Sequence, residues 1–131
     1  MSFIEFSKYL GIRSDKPSHW EPECDPGWHP MILEALAQID AIVGGDADKF
    51  RVRQIKEKFG ELRFYYSADD DVREKIAAIV DAIERRSRST CEICGVGDCS
   101  IRSYRGYYKC VCVEHARELM NGDGDDDAAE G

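Results

Sequence analysis

Four of the cysteine and histidine side chains in this 131-residue sequence fall into a pattern with a definite chemistry. Cys91 and Cys94 stand two residues apart in Cys91-Glu92-Ile93-Cys94-Gly95, and Cys112 and His115 repeat the interval, giving C-x2-C-x17-C-x2-H. A pair at this spacing lets one short turn aim both side chains at one ion, and two such pairs of thiolate and imidazole suit tetrahedral zinc. Gly95 can take the positive φ that a tight turn needs, and the amides of such a turn point at the sulfurs. With all four positions filled by protein, no place is left for an activated water, so the expected role is structural. Three thiolates on a divalent cation leave a net −1, which Lys109 and Arg117, close by in sequence, are placed to offset.

Other uses of these residues are weaker. Cys110 in place of Cys112 would give C-x4-H; Cys112 is preferred because the two-residue interval matches the first turn of the helix that should follow. Cys99 and Cys110 are expected as free thiols rather than a disulfide, given a reducing compartment. His19, Cys24 and His29 are separated by four residues each in a proline-broken stretch, which favours a packed thiol and two ordinary histidines over a second metal site. No Ser-His-Asp, P-loop or dinucleotide pattern is present, and Asp25, His29 and Glu34 could meet in space without making a motif. We therefore expect no enzyme and no small-molecule substrate.

These ligands must be held by a small α+β scaffold. Phe3, Phe6 and Leu10 recur at helical spacing over 2–10, before a loop holding Pro17, Trp20, Pro22, Cys24, Pro26, Gly27 and Trp28. Two indoles in such a loop suggest a lid packed on the core. A helix is predicted from His29, with Pro30 in its first turn, Ile32, Leu33, Leu36, Ile39 and Val43 on one face, and Gly44-Gly45 as its stop. Asp40 falls in that apolar arc, and is expected near a frayed end where it reaches water. Phe50 to Ile55 and Leu62 to Tyr66 read as a β-hairpin, with Leu62, Phe64 and Tyr66 on one face and Arg63 and Tyr65 on the other. Asp69, Asp70 and Asp71 open a long helix whose apolar positions are Val72, Ile76, Ile79, Val80 and Ile83, closed by Arg85, Arg86 and Arg88. Knuckle, hairpin and the amphipathic run from Val113 to Met120 complete a treble-clef-like zinc module over about 89–120. The expected domain is 1–120 with a disordered acidic tail at 121–131.

The net charge of −8 is uneven. The tail supplies five of the 26 acids and no base; without it 21 acids face 18 bases, a net −3. Residues 49–63 carry six bases and two acids, and 85–117 carry seven and three. An anionic partner is therefore compatible with the acidic total. Arg51, Arg53, Lys56, Lys58, Arg63, Tyr65, Arg102 and Arg105 are the candidate partner-binding residues, with phosphate pairing and base stacking as the chemistry. The competing reading is a half-buried sheet with a solvated charged face. Hydropathy predicts no membrane span, and the start Met1-Ser2-Phe3-Ile4-Glu5-Phe6 lacks the pattern of a signal peptide, so a cytoplasmic location is expected.

Gly27-Trp28, the segment Lys56-Glu57-Lys58-Phe59-Gly60-Glu61-Leu62-Arg63-Phe64-Tyr65, and the sequences Thr90 to Gly95 and Cys112-x2-His115-Ala116 together resemble a family of small proteins of phages, prophages and bacterial genomes. The likeness runs over roughly 27–116. This chain differs from the family in having Val96-Gly97 after the knuckle, Tyr107-Tyr108 before the second ligand pair, and the extra Cys99 and Cys110. The resemblance implies a phage-related setting and assigns no catalytic residues. The expectation is a non-catalytic binding protein that acts on a host protein, as in a defence system. The alternatives are a nucleic-acid-binding module or regulator, and an acidic mimic of DNA.

Overall fold

The computed structural model describes residues 3–10 and 21–121. His19, Trp20 and the acidic tail from residue 122 onward lie outside them. A 3₁₀ turn at Phe3–Phe6 leads into α1 (Ser7–Leu10), and a second at Pro26–Trp28 leads into α2 (His29–Val43). The hairpin β1 (Phe50–Lys58) and β2 (Glu61–Ala68) follows, then α3 (Asp70–Ser87), a second hairpin β3 (Ser100–Tyr104) and β4 (Tyr107–Val111), and α4 (Val113–Asn121). The α+β class is as expected, in two separate two-stranded antiparallel sheets. Among the described residues no helix is long and apolar enough to cross a membrane.

The helices form where the 3.6-residue repeat of apolar side chains lets one face leave water. In α2 that face is Met31, Ile32, Ala35, Leu36, Ile39 and Val43, and in α3 it is Val72, Ile76, Val80 and Ile83, all buried. The two helices pack together, and α3 also packs on β2. Gly44 closes α2 in the left-handed conformation (φ 63°), its N–H donating to the Asp40 carbonyl. Asp40 reaches water as expected, its side chain 41% exposed, but it is also partnered. It accepts a hydrogen bond from the buried Tyr9 hydroxyl (2.5 Å) and stands 3.8 Å from Lys8 Nζ, so it ties α1 to α2. Burial first, then the Asp40 hydrogen bond and charge, push the Tyr9 hydroxyl well above its usual range.

The first strand contains a device that the sequence pattern hid. Phe50 and Val52 are two apart, but Ile55 has the opposite parity and would face away in a regular strand. A register shift between Val52 and Gln54 leaves Arg53 as the extra residue of a bulge, and all three apolar side chains are buried. The pairs Arg51↔Ser67, Gln54↔Tyr65, Lys56↔Arg63 and Lys58↔Glu61 share the outer face.

Both edges of this hairpin are covered. Along β2, the Leu62 N–H donates to Ser87 Oγ (3.0 Å) and the Phe64 N–H to Glu84 Oε2 (2.9 Å), so side chains of α3 take the place of a third strand. Along β1, Glu23 pairs in parallel with Lys56: its N–H donates to the Ile55 carbonyl (2.8 Å) and its carbonyl accepts from Glu57 (3.0 Å). Such covering blocks edge-to-edge association of a short sheet.

Candidate metal centre

The Thr90–Val96 turn is built by its own backbone. The Gly95 N–H donates to the Cys91 carbonyl (2.9 Å), the Cys91 N–H to the Val96 carbonyl (2.8 Å), and Gly95 has φ 86°. This knuckle presents Cys91 and Cys94 on one side, with the Cys94 N–H directed at Cys91 Sγ (3.5 Å). The other pair comes from the start of α4. Cys112 stands just ahead of it, its carbonyl accepting from Ala116 (2.8 Å), and His115 lies in the first turn.

The four ligand atoms converge to within 4.8 Å of one another. Cys112 Sγ is 3.2 Å and Cys91 Sγ 3.6 Å from His115 Nδ1, and Cys94 Sγ is 3.9 Å from Cys112 Sγ. Tetrahedral bonds of about 2.3 Å to sulfur and about 2.0 Å to nitrogen would set these separations near 3.8 Å and 3.5 Å, so the donor set fits a tetrahedral metal ion. Among the described residues this is the one group with such geometry. Cys112, not Cys110, supplies the third sulfur. Cys110 is fully buried in the core, and Cys99 and Cys110 are both free thiols.

The charge of the cluster points the same way. Burial pushes the Cys91 thiol up, but the N–H groups of Cys94, Cys112 and Ile93 together outweigh it and bring it down to about 6. Hydrogen bonding to the Cys112 and Cys91 sulfurs raises the His115 imidazole. Sulfur gathered in this way concentrates negative charge that a divalent cation offsets. Lys109 does not perform that task. Its Nζ lies 3.6 Å from Glu92 Oε1 and 3.9 Å from Glu57 Oε1.

The knuckle is not a module appended to the end of the fold. The Gly27 N–H donates to the Glu92 carbonyl (2.6 Å), and the fully buried Trp28 donates from Nε1 to the Thr90 carbonyl (2.9 Å). A Cβ on Gly27 would lie 2.3 Å from the Cys91 carbonyl oxygen and 2.4 Å from that of Glu92, which leaves room for glycine alone. Glu92, 2% exposed, accepts the Asp25 N–H at Oε2 (3.0 Å), and its own N–H donates to the Cys110 carbonyl. Burial raises its carboxyl above the usual range. The Gly27-Trp28 pair is thus a clamp between the loop before α2 and the metal knuckle.

The tip of the first hairpin seats on the second. A Cβ on Gly60 (φ 84°) would lie 2.9 Å from Ile101 Cγ2 and 3.3 Å from the Lys109 backbone, and the Gly60 N–H donates to Glu57 Oε2 (2.7 Å). Phe59 before it also has positive φ (57°), making a two-residue turn of type I′, and Arg105-Gly106 repeats the arrangement at the tip of β3–β4.

The eight candidate partner-binding residues divide between two surfaces. Arg51, Lys56, Lys58, Arg63 and Tyr65 share the outer face of β1–β2, with Arg53 at the bulge. Arg63 stands 3.6 Å from Glu61, a carboxylate that Arg88 also holds at 2.6 Å. Arg102 belongs to a groove of about 330 Å³ between β3–β4 and α4, lined also by Tyr104, Val113, Ala116, Arg117 and Met120. Arg105 Nη2 donates to the Met120 carbonyl (2.9 Å) and so closes the end of α4. Cys24 is half-buried against the core, its thiol pushed to about 12 by burial and by Glu92, which suits a packed thiol. Glu34 is occupied by Arg86 (3.1 Å). No family model matches the chain, and no curated protein or solved structure matches it either.

Proposed function

We propose that Cys91, Cys94, Cys112 and His115 hold a structural zinc ion in a treble-clef-like arrangement. The chain is then a small, non-catalytic, cytoplasmic binding protein of phage or prophage type that modulates a host protein, as in a defence system. Three thiolates and one imidazole suit zinc among the available divalent ions. The observation that carries the reading is the groove between the second hairpin and α4: both of its walls are tied to ligands, since Cys112 and His115 begin α4 and the knuckle bonds to β4 through Glu92 and Cys110. Its lining includes the apolar Val113, Ala116 and Met120 together with Arg102, Arg117 and Asp98. Apolar side chains beside two arginines suit a side chain and a carboxylate of a protein partner. The phage setting rests on the resemblance carried by residues 27–116.

Metal analysis of the purified protein should find one equivalent of zinc. Affinity purification from host cells, followed by mass spectrometry, should recover a specific protein with the wild type. It should be lost with Cys112→Ser, which removes the metal, and with Met120→Glu, which places a charge in the groove. Recovery of the same partner by Met120→Glu would refute the groove as its site, and a metal-free wild type would refute the zinc assignment.

A further inference from the structure

Cations on this protein differ in what they face. Arg73, Arg86, Arg88 and Lys109 stand beside carboxylates. Four on β1 do not: among the described residues Arg51, Arg53, Lys56 and Lys58 have no carboxylate within ion-pair distance. They lie along one strand of about 24 Å, where Glu61 opposite Lys58 is held by Arg63 and Arg88 and the Glu23 carboxylate accepts from Gln54, so the four cations add to the local positive potential.

That row ends in an aromatic tip. Lys58 Nζ lies 5.6 Å from the Phe59 ring centre, and the Phe59 ring meets Tyr108 edge-on at 6.4 Å. Phe59 is 64% exposed and Tyr108 50%, with Tyr65 exposed further along the same face as Lys56. Phe59 is a poor choice for its position on two counts. It stands at positive φ where asparagine or glycine is favoured, and it leaves most of its ring in water. Stability alone does not account for it. The tip is also tied down, by Glu57 on the Gly60 N–H and by the close approach of Gly60 to the second hairpin.

The geometry points to the outer face of β1–β2, from Arg51 to Phe59 and Tyr108, as a binding surface for single-stranded nucleic acid. Unpaired bases stack on Phe59, Tyr108 and Tyr65, and the backbone phosphates follow the four cations. A single strand meets both requirements because its bases offer free faces at the pitch of its charges. A duplex hides those faces and offers phosphates alone. The surface is distinct from the groove at α4, so this activity is additional to the proposed protein binding.

Fluorescence anisotropy of the zinc-loaded full chain tests it, using labelled oligothymidylate and oligouridylate of about 20 nucleotides, longer than the roughly 4–16 of known single-strand sites. A duplex of equal length is the control. At least one single strand should bind more tightly than the duplex, and the tighter of the two identifies DNA or RNA. Four phosphate contacts on a single strand give a slope of log K on log salt near −2.8, a loss of about 50-fold between about 50 and 200 mM salt. Lys56→Gln with Lys58→Gln should reduce the slope by about 1.4 without lowering Tm. Phe59→Asn, which makes the Asn-Gly pair that the turn prefers, should weaken binding about ten-fold while Tm holds or rises. Met120→Glu should leave binding unchanged. The inference is overturned if no probe binds at about 50 mM salt, if the duplex binds as tightly as both single strands, or if both sets of variants retain full affinity. It is equally overturned if light scattering finds a dimer that Phe59→Asn dissociates, since the patch would then be a contact between copies of the chain.

Discussion

Replacing Gly27 by alanine should separate the metal knuckle from the rest of the fold. The added Cβ would lie 2.3, 2.4 and 2.5 Å from backbone atoms of Cys91 and Glu92, none of which can swing aside as a side-chain end could. Relief requires the 3₁₀ turn at Pro26–Trp28 to move away. The Gly27 N–H bond to Glu92 and the Trp28 Nε1 bond to Thr90 then lengthen or break. Overpacking of this kind costs about 1–3 kcal/mol, and two lost hydrogen bonds add about 1 kcal/mol each. Alanine returns about 0.4–1 kcal/mol by stiffening the unfolded chain. The net loss is about 2–5 kcal/mol, a large share of the roughly 5–15 kcal/mol that holds a domain together. For 131 residues it corresponds to a fall in Tm of about 10 °C. Urea unfolding of the metal-loaded protein, followed by tryptophan emission, measures the loss, and competition with a chelator should show weaker metal binding in the same variant. A loss below about 1 kcal/mol with unchanged metal affinity would show that the clamp does not couple the two regions.

Other consequences follow from single contacts. Ser87→Ala removes the buried acceptor of the Leu62 N–H and should cost about 1–3 kcal/mol in urea unfolding; a change within about 0.5 kcal/mol would mean that the edge of β2 finds another partner. Burial raises the Glu92 carboxyl above its ordinary value of 4.5, so its contribution to stability is complete below that pH and is lost as pH rises through the raised value. Glu92→Gln should therefore flatten the decline in stability above about pH 4.5, and a wild-type-to-variant difference that is constant with pH would contradict this. Metal affinity should fall as pH drops through about 6, where the Cys91 sulfur takes up a proton, and a chelator titration that is flat across that range would refute it. Chelation at neutral pH should also shift tryptophan emission, because the Trp28 indole is bonded to the residue next to Cys91.

The parts legible in the sequence were those governed by local spacing. Ligands two residues apart need only one turn to converge, so Cys91 with Cys94 and Cys112 with His115 could be paired before any contact was known. The apolar repeats of α2 and α3, the Gly44 stop and the alternation Leu62, Phe64, Tyr66 are likewise properties of a few neighbouring residues. Even the break in parity between Val52 and Ile55 was available as a signal for the bulge at Arg53.

Nothing local in the sequence indicates that Ser87 and Glu84 finish the edge of β2, that Lys109 turns inward to Glu92 and Glu57 rather than towards the sulfurs, or that Asp40 receives the Tyr9 hydroxyl. Each depends on which elements lie side by side. Gly27 shows the difference most clearly. Its sequence context announces a turn, yet only the approach of the Cys91–Glu92 backbone makes a side chain there intolerable. The sequence by itself determined the main helices, the first hairpin and the pairing of Cys91 with Cys94 and Cys112 with His115, because short-range geometry and burial period decide them. The tertiary structure alone decided that the knuckle is clamped into the core and that the cations of β1 have no carboxylate partner among the described residues, beside an exposed aromatic tip. Those outcomes depend on residues that share a place in space but are distant along the chain.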